Sequence, residues 1–350
     1  MSGREEGLNE WARRPLWTSP PSRSSVLSLL LALLLVGCAD GGADASAGED
    51  PEGVRLALDK RNPERLLRFY FGSYLGPEGG DAVEAGVLSG EGEDFRVHPG
   101  ALDARWRAAL DSANANDDGA IDWDEFVAFV DETYAAARAL PPTLDAFHHE
   151  VPYAEGDPAW FTVELDGVMT TARRHLFVPV SALRAALTDY RANDERLIYP
   201  VGTAIVGEHR VEGALAETTV MRKRPDGFWD FFVYGRDGAL AGATDTPPRA
   251  LRSPTQCVGC HFGRKLFEPE ESFPAEAPAG PFGPRGIDVG PEMRNADVVA
   301  LFDEHARRSD TVLGVYNTLF VSGLLADRRA GRLVPEDAAL LDGLELPDGL

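Results

Sequence analysis

The 350-residue chain is strongly acidic, and its composition excludes several classes of protein. Because 44% of its residues are apolar, it can form packed cores and is not a disordered chain. Its 57 acidic residues outnumber 34 basic ones, which gives a formal net charge of −23. Binding to nucleic-acid backbones is therefore not expected, and a soluble partner, if there is one, is expected to be basic.

The first 37 residues are typical of a bacterial export signal. Arginines precede the apolar run at 26–37, and this run is too short, at about 1.5 Å per residue, to span a bilayer core of about 30 Å. It ends in Leu35-Val36-Gly37-Cys38, which resembles the lipobox of bacterial lipoproteins. We therefore predict a signal peptide at 1–37 and lipid on Cys38. The protein would then be anchored in the bacterial cell envelope, facing the periplasm or the exterior. A plain secretory signal that ends near a cysteine is the alternative.

Beyond the signal, the pattern of apolar residues predicts an α+β protein. Apolar residues recur at helical spacing in 54–140 and near the C-terminus, whereas 143–237 contains β-rich runs. Within that β-rich part, Ser181 is placed to cap a helix, and Pro225-Asp226-Gly227 supplies a turn between two strands. The predicted parts are a flexible tether at 38–53, a helical module at 54–140, an antiparallel β domain at 141–272, a Pro/Gly linker at 273–292 and C-terminal helices at 293–350.

The run CVGCH at 257–261 carries the clearest chemical signal. On a helix, Cys257, Cys260 and His261 lie at i, i+3 and i+4, and side chains at this spacing share one face. Two thiols can then reach the two vinyl groups of a haem while the adjacent imidazole reaches the iron. Cys-x-x-Cys-His is the attachment pattern of c-type haem for this reason. We therefore predict haem c on Cys257 and Cys260, with His261 as an iron ligand.

Three other interpretations of this run compete with haem attachment. A structural zinc site needs four ligands, but the chain has three cysteines in all and no second Cys or His pair follows. A thioredoxin-like redox pair is expected in a βαβ setting, whereas the surroundings read as antiparallel. A disulfide between Cys257 and Cys260 stays open in an oxidising compartment, although it leaves His261 without a role.

Together with CVGCH, the runs GTAIVGE at 202–208 and VMRKRPDGFWDFFVYGRDG at 220–238 resemble, in order, the cytochrome P-460 and cytochrome c-prime-beta family. The resemblance covers residues 160–263. It rests most on the pattern Met221/Lys223, Trp229/Phe231 and Asp237-Gly238. It implies an antiparallel β fold around one haem, with His261 as the proximal ligand. It also implies a distal arginine, at Arg173 or Arg174.

One departure from the family bears on activity. Members of the P-460 branch oxidise hydroxylamine with a lysine that is cross-linked to the porphyrin, and Gly207 stands at that position here. Lys223 on the neighbouring strand is the nearest substitute. We therefore expect a non-catalytic protein that binds a small gas, such as nitric oxide or carbon monoxide, or transfers single electrons. An oxidoreductase acting on hydroxylamine or nitric oxide is the alternative. A sixth iron ligand from the protein would be Met293 or His305.

A second motif, at 114–126, resembles an EF-hand calcium loop. Gly119 holds the sixth position and Ile121 the apolar eighth. The six ligand positions are Asn114, Asn116, Asp118, the Ala120 carbonyl, Asp122 and Glu125. Because Asn114 stands where aspartate is usual, we expect weak affinity, about 10⁻⁴–10⁻³ M. EF-hands usually occur in pairs, and the sequence contains no second loop of this quality. A helix-turn-helix that binds no metal is one alternative, and a haem-free, calcium-binding structural lipoprotein is another.

Overall fold

A computed structural model describes residues 53–58, 63–91, 94–114, 116, 118–166, 171–190, 192–193, 197–246, 250–261, 288–289, 296–297, 300 and 315–346. The predicted signal peptide, the predicted lipidation site Cys38, and the candidate ligands Met293 and His305 lie outside these residues. Within the described ranges the chain forms eleven strands in two sheets together with eight α-helices. The prediction of an α+β protein is confirmed at this level.

The N-terminal part combines three helices with a four-stranded sheet in the order β2-β3-β1-β4. Its elements are β1 (Val54–Ala57), α1 (Pro63–Gly72), β2 (Leu88–Glu91), β3 (Asp94–Val97), α2 (Ala104–Ala113), β4 (Ala120–Asp122) and α3 (Trp123–Ala137). The prediction of a helical module is met by these helices, but it missed the four strands. Each strand has three or four residues, so its alternation of buried and exposed positions is too short to stand out against helical spacing.

The larger sheet has seven strands in the order β10-β9-β8-β7-β6-β5-β11, and every neighbouring pair is antiparallel. The strands are β5 (Trp160–Asp166), β6 (Arg173–Pro179), β7 (Ala204–Val211), β8 (Ala214–Lys223), β9 (Trp229–Tyr234), β10 (Leu240–Ala241) and β11 (Asp288–Val289). The predicted turn between β8 and β9 is confirmed: Gly227 has a φ of +89°, and Asp226 Oδ1 accepts from the Phe228 amide.

Two helices lie within this β-rich part, α4 (Leu144–Glu150) before β5 and α5 (Val180–Thr188) after β6. The prediction that Ser181 caps a helix was wrong. Strand β6 runs directly into α5, so Pro179 is the N-cap residue and Ser181 already lies inside the first turn. The Val180 amide donates to the Ala159 carbonyl over 2.9 Å, which ties this start of the helix to the residue before β5.

The chain continues through α6 (Thr255–His261), α7 (Val315–Arg329) and α8 (Pro335–Gly343). Successive side chains in a strand point to opposite faces of the sheet, so Ile205 and Val206 enter different cores. Ile205 packs with α5, α7 and α8 on one face, whereas Val206 belongs to the core that includes α1, α3 and α4. No helix in the described part of the chain is long and apolar enough to cross a membrane.

Candidate functional site

The CVGCH run forms the last five residues of helix α6, which spans Thr255–His261. Positions 257, 260 and 261 therefore stand at i, i+3 and i+4 of a helix, the spacing that the haem interpretation requires. Cys257 is partly buried, and its Sγ lies 3.8 Å from the Arg252 carbonyl oxygen. Val258, the next residue, is completely buried in the larger core. The first cysteine thus lies at the border between the core and the surface.

The start of α6 is held against strand β9 and the β10 region. Ser253 Oγ donates to the Phe231 carbonyl over 3.0 Å, and the Ser253 amide donates to the Gly242 carbonyl over 2.8 Å. The Arg252 amide donates to Gln256 Oε1 over 2.8 Å, which closes the first turn. Phe231 belongs to the sequence pattern that resembles the P-460 family. The structure therefore brings one part of that pattern into direct contact with the segment that carries Cys257.

Tyr70 of α1 approaches the same cysteine from the N-terminal part of the chain. Its ring is completely buried in the core against which Cys257 packs. Burial raises the pKa of Tyr70 well above its usual value, and the neighbouring Tyr134 and Cys257 raise it further. The Tyr70 hydroxyl is buried and has no hydrogen-bond partner among the residues that the structure describes. A buried hydroxyl without a partner is costly, so this atom is a polar position in the core that the described side chains do not satisfy.

The positions of the family pattern share one face of the large sheet. Gly207 pairs with Leu176 on one side and with Thr219 on the other. Met221 and Lys223 follow Thr219 at intervals of two along β8, and they pair with Phe231 and Trp229 of β9. We call this side of the sheet the Gly207 face. Its members were predicted from separate runs of sequence, and the register brings them side by side.

The same register separates the two candidate distal arginines. Arg174 pairs with His209 and therefore lies on the Gly207 face, whereas Arg173 points to the opposite face and bonds to Glu164 over 2.5 Å. The Nε atom of Arg174 is buried and, within the described ranges, has no hydrogen-bond partner. Of the two arginines, Arg174 is the one that can serve chemistry on the Gly207 face.

Gly207 itself leaves little room for a side chain. A Cβ atom at this position would lie 2.9 Å from Thr219 Oγ1 and 3.0 Å from Leu176 Cδ2. The substitute lysine is placed elsewhere: the Nζ atom of Lys223 donates to the Gly227 carbonyl in the β8–β9 turn and lies 5.4 Å from the Trp229 ring centroid. Burial lowers the pKa of Lys223. Four residues separate Lys223 from Thr219, about 13 Å along a strand, so its anchor is remote from Gly207.

A buried polar cluster on the Gly207 face was not predicted from the sequence. His209 Nδ1 lies 2.9 Å from Glu217 Oε1, and His209 Nε2 lies 3.2 Å from Thr219 Oγ1. Burial alone would raise the pKa of Glu217. The pKa of Glu217 is nevertheless lowered, because its carboxylate accepts hydrogen bonds from His209, the Asp245 amide and the Thr246 hydroxyl. A β-bulge between His209 and Arg210 shifts the register, so counting from the hairpin turn would have placed His209 opposite Ala216.

The predicted calcium loop connects α2 to α3. Gly119 adopts a φ of +81°, which is the reason that glycine is needed at the sixth position. Asn116 Oδ1 accepts from the Asp118 amide, and Asp118 Oδ1 accepts from the Ala120 amide, both over 3.0 Å. Ile121 is buried in the core and pairs with Leu56 of β1 in a parallel register. The strand that follows Gly119 is therefore paired with β1.

The last two ligand positions are engaged in capping α3. Asp122 Oδ1 accepts from the Glu125 amide, and Glu125 Oε2 accepts from the Asp122 amide, both over 3.0 Å. Consequently, in the part of the chain that is described, no group of three or more His, Cys, Asp or Glu side chains is arranged to hold a metal ion. Asn114 Oδ1, at the first ligand position, is buried without a hydrogen-bond partner among those residues. Carboxylate, amide and carbonyl oxygens are the donors that calcium prefers, and Glu125 would have to leave the Asp122 amide in order to bind an ion.

Comparison of the chain with protein-family models, with curated proteins and with solved structures finds no match. The predicted residues that the structure brings together are those on the Gly207 face and those of the 114–125 loop. Cys257, Cys260 and His261 share α6, and Arg173 lies on the opposite face of the sheet. Cys38, Met293 and His305 lie outside the described residues.

Proposed function

We propose that this chain is an exported, lipid-anchored c-type haem protein that also carries a calcium site. It would bind a small gaseous ligand or transfer single electrons. The observation that carries the proposal is the CVGCH run within α6, because this run places two thiols and an imidazole at the spacing of a haem attachment site. Residues 1–38 support export and a lipid anchor in the bacterial cell envelope, and the net charge of −23 suits a basic redox partner.

The surroundings of Cys257 are compatible with covalent haem. Cys257 and Cys260 would hold the porphyrin, and His261 would bind the iron. Cys257 is only partly buried, and the core against which it packs contains the buried Tyr70 hydroxyl, which has no hydrogen-bond partner among the described residues. When bound, haem supplies an iron centre that takes up an electron or a diatomic gas. The protein contributes a fixed helix start, through the Ser253–Phe231 hydrogen bond, and a largely apolar core on the inner side of α6.

Two observations favour the non-catalytic form of the proposal over a hydroxylamine or nitric oxide oxidoreductase. Thr219 and Leu176 crowd the position at which the family places its cross-linked lysine, and Gly207 occupies it. Lys223, the nearest substitute, is engaged at the β8–β9 turn. The oxidoreductase remains the second candidate because Arg174 and His209 provide polar groups on the Gly207 face.

The calcium site is supported by the loop between α2 and α3. An EF-hand loop requires a positive-φ glycine at the sixth position and an apolar residue at the eighth, and Gly119 and the buried Ile121 meet these requirements. Asn114 Oδ1, at the first ligand position, is buried and has no hydrogen-bond partner among the described residues. Asn114 contributes no negative charge, and Glu125 must break a capping hydrogen bond in order to bind the ion. Both effects lower affinity, so the expected range is about 10⁻⁴–10⁻³ M.

The optical spectrum tests the haem proposal. The full chain is produced together with the machinery for c-haem maturation, and a Cys257→Ser/Cys260→Ser variant serves as the control without attachment. A split α/β spectrum after reduction would identify a six-coordinate electron carrier, and a broad high-spin band that moves with carbon monoxide would identify a gas site. A strongly red-shifted Soret band would favour the cross-linked oxidoreductase. Absence of covalent haem would contradict the proposal and leave a calcium-binding structural lipoprotein whose cysteines form a disulfide.

Calorimetric titration with calcium tests the second site. Glu125→Gln removes a carboxylate ligand and is expected to weaken binding at least tenfold. Glu132→Gln is the matched control, because Glu132 is exposed on the same helix outside the loop. Identical titration curves for the wild type and Glu125→Gln would eliminate the calcium site.

A further inference from the structure

We infer that calcium binding at the 114–125 loop is energetically coupled to the haem on α6, through a route that runs along α3 and Tyr70. The inference rests on the proposed function, because it requires both calcium and haem to bind. Helix α3 begins at the last ligand positions of the loop and contacts both α1 and the large sheet. It is therefore the element that both sites share.

The first step of the route joins the loop to Tyr70. Glu125, the final ligand position, is followed directly by Phe126, which is completely buried. The Phe126 and Tyr70 rings meet edge to face, with centroids 5.1 Å apart and an interplanar angle of 84°. When Glu125 leaves the Asp122 amide to bind calcium, the first turn of α3 has to adjust, and Phe126 lies in that turn. Protein interiors are close-packed, so the adjustment is transmitted to the Tyr70 ring.

The second step joins Tyr70 to α6. Tyr70 and Val258 are both completely buried in the same core, and Cys257 packs against that core. A second contact runs from Asp131 of α3 to Arg252, with 3.5 Å between Oδ2 and Nη1. This ion pair is largely exposed, and exposed pairs contribute little, so the buried aromatic contact is the main connection.

The far end of α3 is fixed, which concentrates any movement near the loop. Tyr134 Oη and Arg138 Nε both donate to Asp230 Oδ1 of β9, over 3.0 and 2.7 Å, and all three side chains are buried. A change at Asp122 and Glu125 therefore cannot be absorbed by sliding the whole helix. It has to appear as a small tilt of the N-terminal turns, where Phe126 contacts Tyr70.

The coupling has a measurable consequence because linkage is reciprocal. If calcium favours the arrangement of α6 that holds haem, haem must raise the affinity for calcium by the same factor. Coupling between sites commonly changes affinity by about 5- to 150-fold. A route through one buried ring contact is expected to give coupling at the lower end of this range. We therefore expect the haem-loaded chain to bind calcium about fivefold more tightly than the haem-free chain.

The test compares calcium affinity by calorimetry in the full chain with haem and in the haem-free Cys257→Ser/Cys260→Ser variant. The comparison is then repeated in a Phe126→Leu background, with Phe129→Leu as the matched control. Phe129 is equally buried and lies one turn further along α3, but its ring contacts are with Tyr74 and Phe71. We expect the fivefold ratio in the wild type and in Phe129→Leu, and a ratio near one in Phe126→Leu. The reduction potential, measured with calcium and with a chelator, should follow the same pattern.

Equal calcium affinity in the haem-loaded and haem-free wild type would overturn the inference. A ratio of calcium affinities near one in Phe129→Leu as well as in Phe126→Leu would overturn the route through Tyr70. If Phe126→Leu does not fold, the wild-type ratio still decides whether the sites are coupled. Absorbance and titration of each form show separately whether haem and calcium bind. A failure of the proposed function is therefore distinguishable from a protein that binds both groups without coupling.

Discussion

Arg138 Nε donates a hydrogen bond to Asp230 Oδ1 over 2.7 Å, and the two side chains are 3% and 1% exposed. This contact joins the C-terminal end of α3 to the middle of the large sheet. Arg222 and Tyr134 also bond to the Asp230 carboxylate, and the completely buried Arg224 lies 3.9 Å from it. A buried network of charges therefore joins the N-terminal part of the chain to the β-rich part, in addition to the hydrophobic core that the two parts share.

Removing the central carboxylate should strongly destabilise the protein. Asp230→Asn would leave the buried Arg138 guanidinium without its counter-charge, whereas Arg224 keeps its ion pair with Asp226. Breaking a buried pair in this way costs about 3–5 kcal/mol. Asp94→Asn is the control: Asp94 pairs with Arg55 over 3.9 Å in a largely exposed position, so the expected loss is about 0–1 kcal/mol. Denaturant unfolding measures both. A loss at Asp230 no larger than at Asp94 would contradict this account of the network.

Glu217 should make the stability of the large sheet depend on pH. Its pKa is lower in the folded chain than in the unfolded chain, because the hydrogen bonds that it accepts outweigh the effect of burial. The stabilisation is therefore present above the unfolded pKa, about 4.3, and is lost as the pH falls through the lower folded value. Glu217→Gln should reduce stability at neutral pH and flatten the acid side of the stability profile. Glu155→Gln, in an exposed loop, should leave the profile unchanged. A wild-type profile that Glu217→Gln does not alter would refute the assignment.

Tyr70 and Tyr134 should respond in opposite directions to loss of the hydroxyl. In the haem-free chain, Tyr70→Phe removes a buried hydroxyl that lacks a partner among the described residues, and we expect a gain of about 1 kcal/mol. Tyr134→Phe instead removes a donor to the buried Asp230 carboxylate and should cost about 1.5–3 kcal/mol. Thermal and denaturant unfolding of the two variants provide the measurement. A loss of stability in Tyr70→Phe would show that this hydroxyl is satisfied in solution.

The antiparallel sheet could be predicted from the sequence because its signals are local. The β8–β9 hairpin carries its own turn residues at Pro225-Asp226-Gly227, and both arms are rich in β-branched and aromatic residues. The helical spacing of Cys257, Cys260 and His261 was likewise readable from five consecutive residues. Local structure that is determined by a few neighbouring residues can be predicted without knowledge of tertiary contacts.

Features that depend on distant pairing could not be predicted. Strand β1 becomes a strand because Leu56 pairs with Phe95 and with Ile121, residues about 40 and 65 positions away. Strand β11 joins the sheet through the pairing of Asp288 and Val289 with Asp166 and Leu165, residues about 125 positions away. The contact between His209 and Glu217 depends on one bulge that shifts the register of a hairpin. In each case the sequence around the residue is compatible with several structures, and a tertiary contact selects one.

The glycine at position 207 gives the sharpest test of the Gly207 face. Alanine is normally better tolerated than glycine in a strand, because glycine loses more conformational freedom on folding. Here the added Cβ would lie 2.9 Å from Thr219 Oγ1, so the hydroxyl must rotate away from His209 Nε2, and Leu176 must shift as well. We expect Gly207→Ala to cost about 1–3 kcal/mol, the usual range for overpacking.

Gly323→Ala is the matched substitution with the opposite expected sign. Gly323 lies in the middle of α7, and a Cβ there would meet no atom within 4 Å, so helix propensity predicts a gain of about 1 kcal/mol. Denaturant unfolding compares the two variants, and the imidazole signals of His209 in an NMR titration report whether the Thr219 contact is lost. If Gly207→Ala is as stable as the wild type and the His209 imidazole signals are unchanged, then Thr219 and Leu176 do not crowd position 207 in solution. The position would then be open to the lysine of the P-460 branch.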